Sequence, residues 1–479
     1  KRPSYLINRV KQVFPKLVVE KEEMDTSYEK IMGSDKGKSY LISHLADGTY
    51  AKDVIWWEIA SHYEKKTPGI LKDLLGIREK RAGNNSLKKE AAKRLFGDVL
   101  YGSVTRFEQY VQCPFAFFAH YGLLLNERQQ YEISSLDHGN LFHQAMEHLS
   151  HELEQRNKNW QDLSEKEAVL LAAECVDAVA ERYQGRKYFQ SNRVSFMLKR
   201  LKNEVVHSVW AMWHQMQEGD FVQTYTEKGF RGNDKEWESM CIPFGEDAKI
   251  CLNGVIDRVD LCSLPGEELI KVIDYKSSDS QDLSLAKVYY GLQMQLLTYL
   301  EAAKEMVEKE HKGKEAVPAA MLYYAIKEKN LDWKPESEEE YEKRVLDSMK
   351  CKGYVNEEPE IIGHLDKSVV NGGELIPGQK SGVVPVAVDK KGLLKKNSGT
   401  LSTKDFETLI AHTKEKMKEC GKAILDGKIE AIPYVYEDND GCTYCPYGSV
   451  CGHESKKDGV REMKKMSDDE VWEALYGDD

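Results

Sequence analysis

Two runs of apolar residues that contain acidic side chains stand out in the middle of the chain. Residues 272–276 read Val-Ile-Asp-Tyr-Lys, and the alternation of a β-strand would place Asp274 and Lys276 on the same face. Residues 254–260 form a second strand-like run that carries Asp257. A Leu-Pro-Gly turn signal lies between the two runs. The pattern therefore predicts a β-hairpin that brings Asp257 beside Asp274 and Lys276.

Helical periodicity precedes this hairpin and returns after it. Trp210 and Trp213 fall on the apolar side of one long predicted helix. A helix after Gly291 separates two predicted strands, which indicates a crossover connection and an α/β (α+β) fold. The expected elements are a mostly helical region over 1–97, helices over 164–183, 194–217 and 402–425, strands over 221–230, 240–244, 250–260, 269–276 and 317–326, a polar insertion over 333–400 and a charged tail over 456–479.

Length and composition narrow the class of protein. The chain has 479 residues, enough for two or three domains, and its 41% hydrophobic and 31% charged residues are typical of soluble globular proteins. No run of 18 apolar residues predicts a membrane span, and the first residues lack the apolar core of a signal peptide. The scattered cysteines suggest reduced thiols and a cytoplasmic location.

The net charge of −12 argues against non-specific binding of nucleic acid by the whole surface. It leaves room for a local basic channel, because a metal ion offsets the acids of a site. Candidate DNA contacts cluster in a Lys- and Gly-rich stretch, which could equally be a solvated surface loop. They are Lys390, Lys391, Lys395 and Lys396.

The acidic hairpin suggests metal chemistry. Two carboxylates and a lysine on adjacent strands suit a divalent cation that activates water against a phosphodiester. The competing interpretation is a surface ion pair, which is what most Asp-x-Lys tripeptides form. His143, on a predicted helix four residues before Glu147, is a further candidate ligand, although a lone histidine is more often structural.

Three cysteines near the end of the chain are spaced as metal ligands. Cys442, Cys445 and Cys451 form a Cys-x2-Cys-x5-Cys motif, one thiolate short of the usual four. Cys113, followed by Pro114, would supply the fourth from far upstream. Thiolate chemistry alone leaves zinc and an iron–sulfur cluster equally open, and unrelated thiols remain the alternative.

Taken in order, these motifs resemble the iron–sulfur nucleases of the RecB family, and among them the AddB-type subunits of bacterial AddAB helicase–nucleases. A histidine in a helix, an acid after a Gly-containing strand, Asp-x-Lys and Gln-x3-Tyr follow one another between Cys113 and the cysteine triplet. The stretches at 103–108 and 427–434 add to the resemblance, which covers residues 102–454. It departs from the family in having Ile256 where Pro often precedes the first acid.

The resemblance implies a restriction-endonuclease-like core with a metal site. Asp257 and Asp274 would hold Mg²⁺ or Mn²⁺. His143 and the main-chain carbonyl of Tyr275 would complete the coordination shell. The residues before position 98 would be a remnant of a helicase-like region, followed by the nuclease domain over 98–455.

The resemblance also implies roles for the remaining motif residues. Lys276 would orient or deprotonate the attacking water, and Gln295 and Tyr299 would position Lys276. The substrate would be single-stranded DNA delivered by an AddA-type helicase–nuclease subunit in double-strand break repair and recombination. A [4Fe–4S] cluster would be held by Cys113, Cys442, Cys445 and Cys451.

Two alternatives compete with this prediction. The chain could be a free-standing iron–sulfur exonuclease of the RecB-like type, or a DNA-binding scaffold that has lost catalysis. We expect no bound nucleotide, because the Gly- and Lys-rich stretch at 33–39 has three residues between its glycines where a phosphate loop needs four.

Overall fold

A six-stranded mixed sheet in the order β11-β8-β7-β6-β5-β2 carries the acidic hairpin at its centre. The computed structural model describes residues 9–10, 12–14, 34–47, 49–80, 86–126, 135–184, 192–231, 237–245, 248–276, 282–326, 337–453 and 458–477. The strands are β1 Val99–Gly102, β2 Val222–Phe230, β3 Met240–Pro243, β4 Lys249–Leu252, β5 Gly254–Ser263, β6 Glu267–Lys276, β7 Glu315–Ala325, β8 Lys352–Asn356, β9 Val370–Asn371, β10 Glu374–Leu375, β11 Thr400–Leu401, β12 Tyr434–Tyr436, β13 Asn439–Asp440 and β14 Arg461–Glu462.

Helices cover both faces of this sheet. The described helices are α1 Ser34–Asp47, α2 Val54–Lys66, α3 Ile70–Lys80, α4 Lys89–Phe96, α5 Val104–Gln112, α6 Pro114–Phe117, α7 Ser135–Gln155, α8 Glu165–Gln184, α9 Asn192–Gln217, α10 Leu285–Tyr289, α11 Gln295–Glu310, α12 Glu338–Ser348, α13 Pro359–Leu365, α14 Thr403–Leu425, α15 Gly448–Cys451 and α16 Asp468–Tyr476. Within the described residues, no helix is both long and apolar enough to cross a bilayer.

The predicted hairpin is confirmed. Strands β5 and β6 pair antiparallel, from Arg258 opposite Ile273 to Ser263 opposite Glu268. The turn between them places Gly266 at φ +86°, a conformation that costs a glycine little. The next strand, β7, runs parallel to β6, and α10 and α11 lie between them in sequence. The predicted strand–helix–strand order is therefore also confirmed.

Strand β6 is buried on both faces, because its side chains alternate between two core layers. Ile270 and Val272 pack in the layer that contains α11 and α14. Leu269 and Ile273 pack in the layer built from α7, α8 and α9. This explains why the Val-Ile that precedes Asp274 has no polar partner in its own strand.

The stretch at 333–400 is more than the polar insertion that its composition predicts. Strand β8 pairs antiparallel with β7, and β11 pairs parallel with β8, so both belong to the central sheet. Asn356, at the end of β8, is buried and donates from Nδ2 to the carbonyl oxygen of Pro318 at 3.0 Å. The prediction was wrong here because β8 is short and gains its apolar contacts only from neighbours distant in sequence.

One cysteine pair departs from the expectation of reduced thiols. Cys241 and Cys251 are bonded as a disulfide in the structure. They face each other directly in the antiparallel register of β3 and β4. The sequence could not indicate the pair, because the spacing of ten residues is meaningful only once this register is known. The sheet that holds them has the order β1-β4-β3.

The chain divides into two compact units, Lys1–Asn84 and Asn85–Asp479. In the first, α1, α2 and α3 pack around the buried Trp56, which donates from Nε1 to the carbonyl oxygen of Leu41 at 2.9 Å. Residues 34–39 of the rejected phosphate-loop stretch belong to α1, whereas Gly33 lies outside the described residues.

Candidate active site and metal centre

The pair formed by Asp274 and Lys276 lies at the end of β6. Because the two residues are separated by one position in a strand, their side chains share a face, and Nζ of Lys276 lies 2.5 Å from Oδ2 of Asp274. Asp274 is only 2% exposed. Burial raises the pKa of Asp274 above its ordinary value, although the charge of Lys276 acts in the opposite direction. A buried ion pair of this kind differs from the surface pair that the tripeptide usually forms.

Asp257 reaches the same place from β5. Its Oδ2 accepts a hydrogen bond of 2.7 Å from the main-chain N–H of Tyr275, so the two acids are held on neighbouring strands. Burial and then the charge of Asp274 raise the pKa of Asp257 well above its ordinary value, while His143 lowers it. Two buried carboxylates that resist joint ionisation form a centre of uncompensated negative charge, which a cation would neutralise.

A third acid, Glu227, joins this centre from β2. Its Oε1 lies 2.8 Å from Nδ1 of His143, which in turn lies 3.5 Å from Oδ1 of Asp257. Ligand atoms of these three residues all lie within 4.8 Å of one another. They are the only group of three or more histidine, cysteine or acidic residues that meets this spacing in the described part of the chain.

The donor set fits a hard divalent cation. Carboxylate oxygens are preferred by Mg²⁺ and Mn²⁺, and an imidazole nitrogen is compatible with Mn²⁺. Burial alone would lower the pKa of His143, but the hydrogen bond to Glu227 and the charge of Asp257 raise it above its ordinary value. A proton on His143 therefore competes with a cation for the same negative charge.

The backbone of Glu227 explains how its side chain reaches the site. It adopts φ +46°, a left-handed conformation that is uncommon for a residue other than glycine. On either side of it, Thr226 pairs with Arg258 and Lys228 with Ile256, so Glu227 lies across from Asp257. Sequence reasoning missed Glu227, because its place depends on the register of β2 against β5, for which the sequence carries no local signal.

Gln295 and Tyr299 complete the centre from the first turn of α11. The side-chain oxygen of Gln295 accepts from Nζ of Lys276 at 3.0 Å, and its Nε2 donates to Oδ1 of Asp274 at 3.0 Å. The same Nε2 lies 3.0 Å from the hydroxyl of Tyr299, one helical turn further on. Both oxygens of Asp274 thus contact protein groups, which leaves Asp274 outside the tightest ligand group.

Comparison with known proteins bears on this centre. Residues 102–452 match the family model of the PD-(D/E)XK nuclease superfamily. That span contains every residue of the centre described above.

The chain belongs to the PD-(D/E)XK nuclease superfamily.

Curated relatives agree with this family. The chain is 33% identical over 487 residues to a protein of Lachnoclostridium phytofermentans whose name is that of the B-type subunit of an ATP-dependent helicase/deoxyribonuclease, covering 100% of this chain and 41% of that protein. Proteins of the same name from Clostridium perfringens and Alkaliphilus oremlandii are 30% and 28% identical, each covering 99% of this chain and 41% of the relative. The chain thus spans about two-fifths of the length of these relatives.

In this PD-(D/E)XK protein, the cysteines with metal-ligand spacing do not form a compact ligand set. Cys113 is buried and packs with Cys445 and Tyr447, whereas Cys442 is exposed and Cys451 is partly buried. Within the described residues, no three of the four sulfur atoms lie within 4.8 Å of one another. The structure therefore does not position these cysteines for a cluster, and the prediction of [4Fe–4S] ligands is not confirmed.

Protein contacts nevertheless join the two ends of the nuclease unit near these cysteines. The hydroxyl of Tyr447 lies 2.7 Å from Nδ1 of His120 and donates to the carbonyl oxygen of Leu125 at 3.0 Å. The guanidinium of Arg461 bonds to the carbonyl oxygens of Val111 and Gln112 at the end of α5. These bonds hold the ends together without a metal.

The four candidate DNA-contacting lysines, Lys390, Lys391, Lys395 and Lys396, are all exposed. Nζ of Lys396 lies 2.9 Å from Oδ2 of Asp469 in an exposed ion pair, which contributes little to stability. The role of the four lysines in binding DNA stays a prediction.

Proposed function

We propose that this chain is the nuclease part of a helicase-associated, metal-dependent deoxyribonuclease. The observation that carries the proposal is the convergence of His143, Glu227 and Asp257 next to the Asp274–Lys276 pair. Membership of the PD-(D/E)XK superfamily and the names of the relatives support the same activity. We place the whole complex, with an AddA-type partner subunit, in the repair of double-strand breaks and in recombination.

Asp257, Glu227 and His143 would hold Mg²⁺ or Mn²⁺, with Asp274 and the main-chain carbonyl of Tyr275 facing the same ion. When bound, the ion would polarise the scissile phosphate and lower the pKa of water. Lys276, held between Asp274 and Gln295, would keep its ammonium group at the phosphate, where it stabilises developing negative charge and controls the proton of the attacking water. Tyr299 would fix the orientation of the Gln295 amide.

The substrate in this proposal is single-stranded DNA released by the helicase partner. Exposed Lys390, Lys391, Lys395 and Lys396 would contact its phosphates. This stretch is joined to β8 of the central sheet, because the N–H of Val355 donates to the carbonyl oxygen of Gly399 at 2.9 Å. We expect contacts with the DNA backbone to dominate over contacts with bases.

A [4Fe–4S] cluster on Cys113, Cys442, Cys445 and Cys451 is a separate proposal that rests on the sequence motif. It gains support from the packing of Cys113 against Cys445 in one small buried group. Anaerobic purification tests it: a brown protein with broad absorption near ~400 nm is expected for thiolate-bound iron and sulfide. A colourless protein with stoichiometric zinc would contradict the cluster.

The decisive experiment compares the parent with Asp274→Ala on radiolabelled single-stranded and double-stranded DNA, with Mg²⁺, Mn²⁺ or EDTA. Metal-dependent release of nucleotides by the parent, lost in Asp274→Ala at unchanged melting temperature, supports the enzyme. Absence of cleavage by the parent at any metal concentration, together with intact DNA binding, would favour the catalytically silent scaffold. Full activity without a helicase subunit, and no association with one, would favour the free-standing exonuclease.

A further inference from the structure

The first turn of α11 is capped by a side chain from a distant helix. Met294 stands at the N-cap of α11 and gives it no side-chain cap of its own. Oε1 of Glu108, on α5, instead accepts from the N–H of Met294 at 2.6 Å and from the N–H of Gln295 at 3.2 Å. The residues are 186 and 187 positions apart in the chain. Glu108 thus satisfies donors that a helix start leaves without intrahelical partners, and its charge complements the helix dipole.

The capped turn is the one that holds the catalytic lysine in place. Gln295 is the first residue of α11, and its amide bonds to both Lys276 and Asp274. A carboxylate on its main-chain N–H therefore limits how far the amide can move along or around the helix axis. Misplacement of a positioning group by about 1 Å costs up to ~100-fold in rate in well-ordered active sites.

We propose that Glu108 is a positioning residue of the nuclease reaction, which sets Gln295, and through it Lys276, by anchoring the start of α11. The inference rests on the proposed function. Glu108 bonds to main-chain groups and belongs to no ligand group, so it acts through Gln295 rather than on the substrate. Burial raises the pKa of Glu108 to about 7, which agrees with a carboxylate held in a confined place, close to Lys276 and Asp274.

Two substitutions separate positioning from simple stability. Glu108→Ala removes the acceptor, whereas Glu108→Gln keeps an acceptor oxygen of the same reach. We expect Glu108→Ala to lower kcat by about 10- to 100-fold with KM nearly unchanged, and Glu108→Gln to remain within about threefold of the parent. Ser402→Ala is the matched control: it removes the cap of α14, which accepts from the N–H of Asp405, and should lower the melting temperature without changing kcat.

A double-mutant cycle tests whether Glu108 acts through Gln295. In a Gln295→Ala background, Glu108→Ala should cost little further activity, because the group it positions is gone. Independent, multiplicative losses in kcat would overturn the proposal. So would a Glu108→Ala variant that loses stability but cleaves DNA at the parent rate.

Amide hydrogen exchange over the first turn of α11 gives a readout that needs no cleavage. We expect faster exchange in Glu108→Ala and protection close to that of the parent in Glu108→Gln. Unchanged exchange in Glu108→Ala would overturn the anchoring step itself. A parent chain without metal-dependent cleavage would instead overturn the proposed function and the catalytic consequence, while the exchange data would still decide whether Glu108 anchors the helix.

Discussion

Nδ1 of His143 lies 2.8 Å from Oε1 of Glu227, although 84 positions separate them in the chain. The contact joins helix α7 to strand β2 at the edge of the acidic centre. It extends the site beyond the motif residues, because Glu227 belongs to none of the patterns that predicted the nuclease. The contact also sets the first prediction.

Glu227→Gln should weaken binding of Mn²⁺ by about tenfold or more, because it removes a negative charge from the ligand group while leaving its size unchanged. Isothermal titration with Mn²⁺, followed by cleavage assays at rising metal concentration, measures the effect. Glu238→Gln is the matched control, since Glu238 is an exposed acid paired with Lys309. Equal Mn²⁺ affinity in Glu227→Gln and the parent would exclude Glu227 as a ligand.

Two acids on the same strand should respond in opposite ways to the loss of charge. Asp257→Asn should abolish cleavage, and the metal-free protein should be as stable as the parent or more stable, because one of two like charges is removed. Asp260→Asn should lower the free energy of unfolding by about 3–5 kcal/mol, because it leaves buried cations without their partner. Asp260 Oδ2 lies 2.8 Å from Nζ of Lys271, and Oδ1 accepts from Nε of Arg258 at 2.7 Å.

Chemical denaturation in EDTA, with cleavage assays in parallel, measures both variants. Activity in Asp257→Asn would rule out its place in the site. A stability of Asp260→Asn equal to that of the parent would show that solvent reaches the Arg258–Asp260 pair, although Asp260 has no exposed surface in the structure.

The stability of the metal-free protein should fall as pH rises from mildly acidic to neutral. Asp257 and Asp274 have raised pKa values, so the folded protein keeps their protons above pH 3.8 while the unfolded chain releases them. His143, also raised, contributes stability below its ordinary pKa of 6.5 that is lost as pH rises through its folded pKa. All three groups therefore act with the same sign.

Melting temperatures between pH 5 and pH 8 in EDTA, compared between the parent and Asp257→Asn, isolate this effect. The parent should lose more stability with rising pH than the variant, and saturating Mn²⁺ should reverse the trend, because the cation binds the deprotonated ligands. A parent profile in EDTA that coincides with that of Asp257→Asn would refute the pKa argument.

Cys113→Ser tests whether the cysteine motif holds a metal centre. If it does, the variant should lose bound iron and up to about 4–5 kcal/mol of stability, by analogy with a covalent link that closes a long loop. Metal analysis and calorimetry measure this, with Cys175→Ser in α8 as the control for loss of a buried thiol. Unchanged metal content and melting temperature in Cys113→Ser would leave only the protein contacts of Tyr447 and Arg461 to join the two ends.

The sequence by itself determined those parts of the site that depend on neighbours in the chain. Alternation along β6 placed Asp274 beside Lys276, and a Leu-Pro-Gly turn brought β5 back against β6. Helical spacing placed Gln295 one turn from Tyr299. Capping boxes predicted at Ser164 and Ser467 are also present. Each of these features is set by local periodicity, by turn geometry or by side chains that bond to their own backbone.

Only the tertiary structure decided the parts that depend on pairing between distant segments. Glu227 enters the metal centre through the register of β2 on β5, and Glu108 caps α11 through the packing of α5. Strand β8 joins the sheet through β7, and the cysteines near the chain ends are brought together only in part. Register and docking are set by the summed burial of many side chains, and no short stretch of sequence carries that sum.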